Sequence, residues 1–110
     1  MNMKDARLII TTVPDWDAGK KIADALVNEH LAACVNIMQQ VDSVYSWKGQ
    51  ICSDKEHVVF IKTNEQLVDK VFERIKQLHP YEVPELIALE ITAISDSYAA
   101  WMQDWLIHNF

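Results

Sequence analysis

A chain of 110 residues, 50% apolar and 24% charged, is long enough to fold as one domain over residues 1–110 with a core of its own. Sixteen acidic residues against ten basic ones, a net charge of -6, exclude the basic surface that a nucleic-acid partner requires. No apolar run nears the ~20 residues of a membrane span, and the polar start Met1-Asn2-Met3-Lys4-Asp5 leads into no signal-like segment, so a soluble cytoplasmic protein with no membrane partner is expected.

Arg7 to Val13 is a short apolar run rich in β-branched residues and stopped by Pro14, which reads as a strand buried on both faces. Asp15 or Asp17 caps a helix over 16–31, where Ile22, Ala25 and Leu26 recur at helical spacing and Lys20, Lys21, Asp24 and Glu29 take the other side. From Ala33 to Trp47 the period changes: Val35, Ile37, Val41, Tyr45 and Trp47 share one parity, and polar residues fill most of the other, as in a strand. Lys48-Gly49 is a two-residue turn, and Ile51 to Thr63 is the return strand. A hairpin closing there sets Ile37 opposite Phe60, Gln39 opposite Val58, Val41 opposite Glu56, Tyr45 opposite Cys52 and Cys34 opposite Thr63.

Cys34 and Cys52 then lie far apart along the ribbon, which argues against an intrachain disulfide, and no Cys-x-x-Cys zinc pair exists, so both read as small, partly buried thiols. Residues 35–47 span about 43 Å at ~3.3 Å per residue, while a domain of this size has a radius of gyration of only about 13 Å. The hairpin therefore projects beyond its own globule. A ribbon alone in water is marginal, so it lies against something, most economically a second copy of the chain.

Thr63 and Gln66 have capping-box spacing, and Leu67, Val71, Ile75 and Leu78 then mark an amphipathic helix over 64–78 that Pro80 ends. Leu86 to Thr92 is a second strand apolar on both parities. Ser95 or Asp96 caps a last helix from Ser97 to about His108, whose stripe of Tyr98, Trp101, Met102 and Trp105 reads as core packing.

The order strand, helix, strand, strand, helix, strand, helix is that of an α+β, ferredoxin-like βαββαβ split sandwich with a long β-hairpin and an added C-terminal helix. Both main helices cover one face of the sheet. The other face is apolar too, and Met38, Val59 and Ile61 are expected to share one side. An open apolar face is rare in a soluble monomer, so it is expected to be covered partly by the last helix and partly by neighbouring subunits.

The chemistry concentrates in the stiff corner His79-Pro80-Tyr81-Glu82-Val83-Pro84-Glu85. His79, at the last turn of its helix, is the metal-ligand candidate; no second histidine or cysteine stands beside it, and a borderline metal needs two or more converging donors. Lys62 is a candidate anion contact or charge partner for Glu82 or Glu85, and Trp47 with Tyr45 at the hairpin tip are anchors for a partner subunit or walls of a cleft between subunits. No Gly-x-Ser-x-Gly, His-Glu-x-x-His or glycine-rich phosphate loop is present, and the loop Val13-Pro14-Asp15-Trp16-Asp17 is acidic, so no enzyme is expected.

Three segments together resemble the CutA family of divalent-cation tolerance proteins: Leu31-Ala32-Ala33-Cys34-Val35-Asn36, Tyr45-Ser46-Trp47-Lys48-Gly49 and His79-Pro80-Tyr81-Glu82-Val83-Pro84-Glu85-Leu86. With Thr12-Val13-Pro14 and Tyr98-Ala99-Ala100-Trp101, the likeness runs from about residue 7 to 107. The resemblance implies a cytoplasmic homotrimer, with long strands packed between subunits as in the PII signalling proteins, and a role in tolerance to copper and other divalent metals. Its copper-binding pattern has a cysteine where this chain has Thr11 and a histidine where it has Leu78; His79 alone matches, so copper binding is expected to be weak, and no cofactor is required. The alternative is a PII-like trimeric sensor or adaptor that binds a small anion or a partner protein in inter-subunit clefts, through Trp47, Lys62, Tyr81 and Glu85.

Overall fold

The structure is a computed structural model that describes residues 5–107. Its elements are β1 (Ala6–Val13), α1 (Trp16–Asn28), β2 (Cys34–Trp47), β3 (Gln50–Asn64), α2 (Val68–Leu78), β4 (Ile87–Glu90) and α3 (Asp96–Trp105). The sheet order is β2-β3-β1-β4, with every neighbouring pair antiparallel, which is the ferredoxin-like α+β arrangement.

Local chemistry sets most boundaries. Asp15 caps α1 by accepting from the Ala18 amide at 2.9 Å. The helix stops at Asn28, short of residue 31, because His30 adopts φ 62° and the amides of Leu31 and Ala32 turn back to the Leu26 carbonyl. The expected Thr63 capping box does not form. Asn64 caps instead, accepting from the Leu67 amide at 3.1 Å and opening a 3-10 turn, Glu65–Leu67, ahead of α2. Thr63 is buried and donates its hydroxyl to the Leu31 carbonyl at 2.7 Å.

The core lies between the sheet and the two main helices: Ile22 and Leu26 of α1 and Val71 and Ile75 of α2 pack on Ile9, Val13, Val59 and Ile61. Gly19 of α1 sits so close to the sheet that a Cβ there would meet Val13 Cγ2 at 3.2 Å. Thr11 faces the same layer, fully buried, and its hydroxyl has no hydrogen-bond partner among the described residues. Thr11→Val keeps the volume and removes the unmet hydroxyl, so it should raise stability by about 1 kcal/mol. Chemical denaturation should show the higher midpoint with an unchanged slope.

The hairpin makes the molecule long, 44 Å against 25 and 22 Å across. Lys48 (φ 50°) and Gly49 (φ 77°) form the left-handed turn that closes it. From the tip to Val41 the register is the expected one, with Val41 opposite Glu56 and Tyr45 opposite Cys52. A bulge then intervenes: Gln39 and Gln40 stand against His57 alone, Gln40 takes φ 46°, and its amide donates to His57 Nδ1 at 3.0 Å. Below it the pairing shifts by one residue, so Ile37 meets Val59 rather than Phe60, and Cys34 meets Lys62 rather than Thr63.

One extra residue turns a strand over. Val35 and Ile37, opposite buried Ile61 and Val59, face the helices, whereas Val41 and Tyr45, opposite Glu56 and Cys52, face the other side. Their common parity does not survive as a common face. Met38 likewise parts from Val59 and Ile61: it pairs with Val58 on the open face and is exposed.

The open face carries Leu8, Ile10, Phe60, Met38, Ile87 and Leu89 in adjoining register. Ile87 and Leu89 are 48% and 44% exposed. The last helix reaches this face at Lys62, whose Nζ lies 5.7 Å from the Tyr98 ring centroid. The stripe of α3 is core only in part: Met102 is fully buried and Tyr98 packs half-buried against the core. Ala99 and Met102 are its buried residues, while Trp101 and Trp105 stay exposed, and the Trp105 indole stacks on His30 at 3.9 Å and donates to the Val27 carbonyl at 2.9 Å. His108, where that helix was expected to end, lies outside the described residues.

Candidate functional site

Proline 80 forces the residue before it out of helical geometry, so α2 ends at Leu78 and His79 is extended (φ -78°, ψ 136°). That turn folds the imidazole inward, where it is 8% exposed. Its Nε2 lies 2.8 Å from the Thr12 carbonyl, and its Nδ1 receives the Tyr81 amide at 3.1 Å. A carbonyl only accepts and an amide only donates. The ring is therefore the neutral tautomer with its proton on Nε2, and both nitrogens are engaged by backbone. Burial lowers the His79 pKa from the ordinary value, which the Thr12 carbonyl and the Glu56 charge oppose.

The imidazole thus ties the corner to the end of β1 and sets the next residue. The Tyr81 ring lies 4.9 Å from that of His79, and its hydroxyl donates to Glu56 Oε2 at 2.7 Å. Glu56 comes from β3 and is only 6% exposed. Burial, then the Glu56 carboxylate, push the Tyr81 phenol above its ordinary pKa. Tyr45, on the same face in the register set by the Lys48-Gly49 turn, donates to the Asp54 carboxylate. That bond, ahead of desolvation, raises its pKa to about 12.

Between the hairpin tip and the corner lies a cleft of about 790 Å³. Tyr45, Trp47, Thr12, Glu56, Tyr81 and Glu82 line it, together with Glu85 and the prolines of the corner. Five of the seven candidates read from the sequence, Tyr45, Trp47, Tyr81, Glu82 and Glu85, are thus brought together. His79 stands behind the wall rather than in it. Lys62 belongs elsewhere: it pairs with Leu8 and Cys34, four positions along β3 from Val58, the partner of Thr12, and forms no ion pair with Glu82 or Glu85. Its ammonium meets the Tyr98 ring and lies 4.0 Å from Cys34 Sγ.

Sequence reasoning did not single out Glu56 and Asp54. The signal was present in the register, which set Val41 against Glu56 and Tyr45 two residues from Asp54. The burial of Glu56 was not legible, because it depends on the corner folding over it. The cleft wall contains three glutamates and no lysine, arginine or histidine, which disfavours an anion there. Among the described residues, no three His, Cys, Asp or Glu side chains converge as a metal site. At the positions of the copper pattern the donors do not fit: Thr11 offers a hard hydroxyl, Leu78 packs against the core, and the nitrogens of His79 are both taken.

Residues 7–105 match the sequence profile described as CutA1 divalent ion tolerance protein. The chain is 45% identical over 97 residues to the chloroplastic protein CutA of Arabidopsis thaliana, covering 88% of this chain and 53% of that one. It is 41% identical over 97 residues to the divalent-cation tolerance protein CutA of Thermus thermophilus, covering 88% and 94%. The chain therefore spans about half the length of the plant relative and nearly all of the bacterial one. Among solved structures, CutA1 from Oryza sativa superposes with a TM-score of 0.92 at 38% identity, covering 98% of this chain and all of that one. CutA from Xylella fastidiosa superposes with a TM-score of 0.91 at 36% identity, covering 94% and 99%.

Proposed function

From the premise that this chain belongs to the CutA1 divalent ion tolerance family, we propose that it serves in tolerance to copper and other divalent metals as a homotrimer without a high-affinity copper site of its own. The observation that carries this reading is the pairing of both His79 nitrogens with backbone groups, which leaves no lone pair for a metal. A histidine must offer a free ring nitrogen to bind copper, and here that would break the link between the corner and β1.

The trimer rests on the open face. Ile87, Leu89 and Met38 are exposed beside half-buried Ile10 and Phe60, and a second copy is the partner with matching apolar surface. We place the chain in the cytoplasm, as the family resemblance implies, whereas the plant relatives are named chloroplastic; no helix among the described residues is long and apolar enough to cross a membrane. No catalytic role is proposed: the histidine of the corner is committed to structure, and the Tyr81 and Tyr45 hydroxyls are tied to carboxylates.

Titration of copper(I) and copper(II) into the native protein and into His79→Ala should give the same affinity within about twofold. A tenfold loss in the variant, about 1.4 kcal/mol, would restore His79 as a ligand. Complementation tests the role itself: the chain should restore growth at raised copper to a bacterium lacking its own relative, and His79→Ala should do so to the extent that it folds.

A further inference from the structure

We propose that the cleft between the hairpin tip and the 80–85 corner binds a small organic ammonium ion, neutralised by the buried Glu56 carboxylate and held against the rings of Trp47 and Tyr81. This goes beyond tolerance to inorganic divalent cations and stands whether or not the chain binds copper.

Glu56 carries the argument. It lines the cleft, is 6% exposed, and receives a single hydroxyl donor from Tyr81. None of the ion pairs among the described residues involves it, and none involves Glu82 or Glu85 on the same wall. Withdrawing a carboxylate from water costs several kcal/mol unless a counter-charge and further hydrogen bonds compensate. The Tyr81 phenol satisfies one oxygen of the carboxylate, and the charge that remains at the cleft wall is what an entering cation meets.

The rest of the lining selects the kind of cation. Calcium or magnesium wants six or more oxygen ligands, and zinc or copper wants converging nitrogen and sulfur; no such cluster occurs among the described residues. Three aromatic rings, those of Tyr45, Trp47 and Tyr81, share the wall with the carboxylates. Aromatic faces attract alkylated ammonium groups, and carboxylates add the matching charge. The Trp47 ring already has the Lys48 ammonium 5.7 Å from its centroid, so it accepts such a group within its own turn. The volume of about 790 Å³ suits a small molecule, within the roughly 300–1,000 Å³ of ligand sites.

Calorimetric titration of the native assembly with choline, and with its uncharged isostere 3,3-dimethyl-1-butanol, tests this. Choline should bind saturably and at least about tenfold more tightly than the alcohol, and Glu56→Gln and Trp47→Ala should each weaken it about tenfold. Magnesium chloride at equal ionic strength should not displace it. Should Glu56→Gln fail to fold, Trp47→Ala, at the exposed hairpin tip, decides alone. Absence of saturable binding, equal binding of the alcohol, indifference to both substitutions, or displacement by magnesium would each overturn the proposal. Absence of binding in the assembly together with binding to a monomeric variant would assign the cleft to a basic side chain of the neighbouring copy.

Discussion

Replacing His79 with alanine should lower the folding stability by about 2–4 kcal/mol, among the larger effects available from one polar residue in this chain. Two hydrogen bonds go, one to the Thr12 carbonyl and one from the Tyr81 amide, and both backbone groups are left without their partner beneath the corner. The contact with the Tyr81 ring goes as well, so the Tyr81–Glu56 bond should loosen. The pH dependence gives a second readout. Burial lowers the His79 pKa below the ordinary 6.5. A group with a depressed folded pKa contributes stability that is complete above its unfolded value, and loses it as pH falls through the folded one. Wild-type stability should therefore decline below about pH 6.5, and His79→Ala should lack that part of the slope. His30 and His57 are present in both proteins, so the difference between the two curves isolates His79. Parallel curves, or a loss under about 0.5 kcal/mol, would show that the imidazole does not tie the corner down.

Leu89→Lys should convert the assembly into a species of 12.7 kDa by light scattering. Leu89 is on the edge strand β4, paired with Leu8 of β1, on the open apolar face. Within one chain it is 44% exposed, so a lysine there can reach water and should cost the folded monomer little, roughly 1 kcal/mol or less. Between two apolar faces the same ammonium loses its hydration without a partner, at several kcal/mol per interface. Circular dichroism should remain that of a folded α+β protein while the mass falls. An unchanged mass at micromolar concentration would remove the open face from the subunit contact.

The elements and their order were legible because each depends on residues close in the chain. The α2 stripe of Val71 and Ile75, the stop at Pro80 and the Lys48-Gly49 turn are local physics, and the structure has them where the pattern placed them. So was the apolar character of both faces of the sheet, since β1 and β3 are apolar on both parities. Boundaries slipped where a long-range bond outbid a local one. Thr63 has capping spacing, but its hydroxyl turns to Leu31, leaving the cap to Asn64. The α3 stripe has core periodicity, but the helix packs through Ala99 and Met102 and leaves Trp101 exposed.

The candidate site was legible as a set of residues and not as a place. The stiffness of 79–85, the aromatics of the tip and the lack of a second histidine are properties of the chain as written. Tertiary structure decided three things. A bulge at Gln39 and Gln40, opposite His57, put Val35 and Ile37 on the helix face while Tyr45 kept the face of Glu56, because one residue out of register inverts every side chain beyond it. The corner folded over Glu56 and buried a carboxylate that periodicity places at the surface. And His79, which composition offers as a metal donor, gave both its nitrogens to Thr12 and Tyr81, because a buried imidazole takes the hydrogen bonds within its reach.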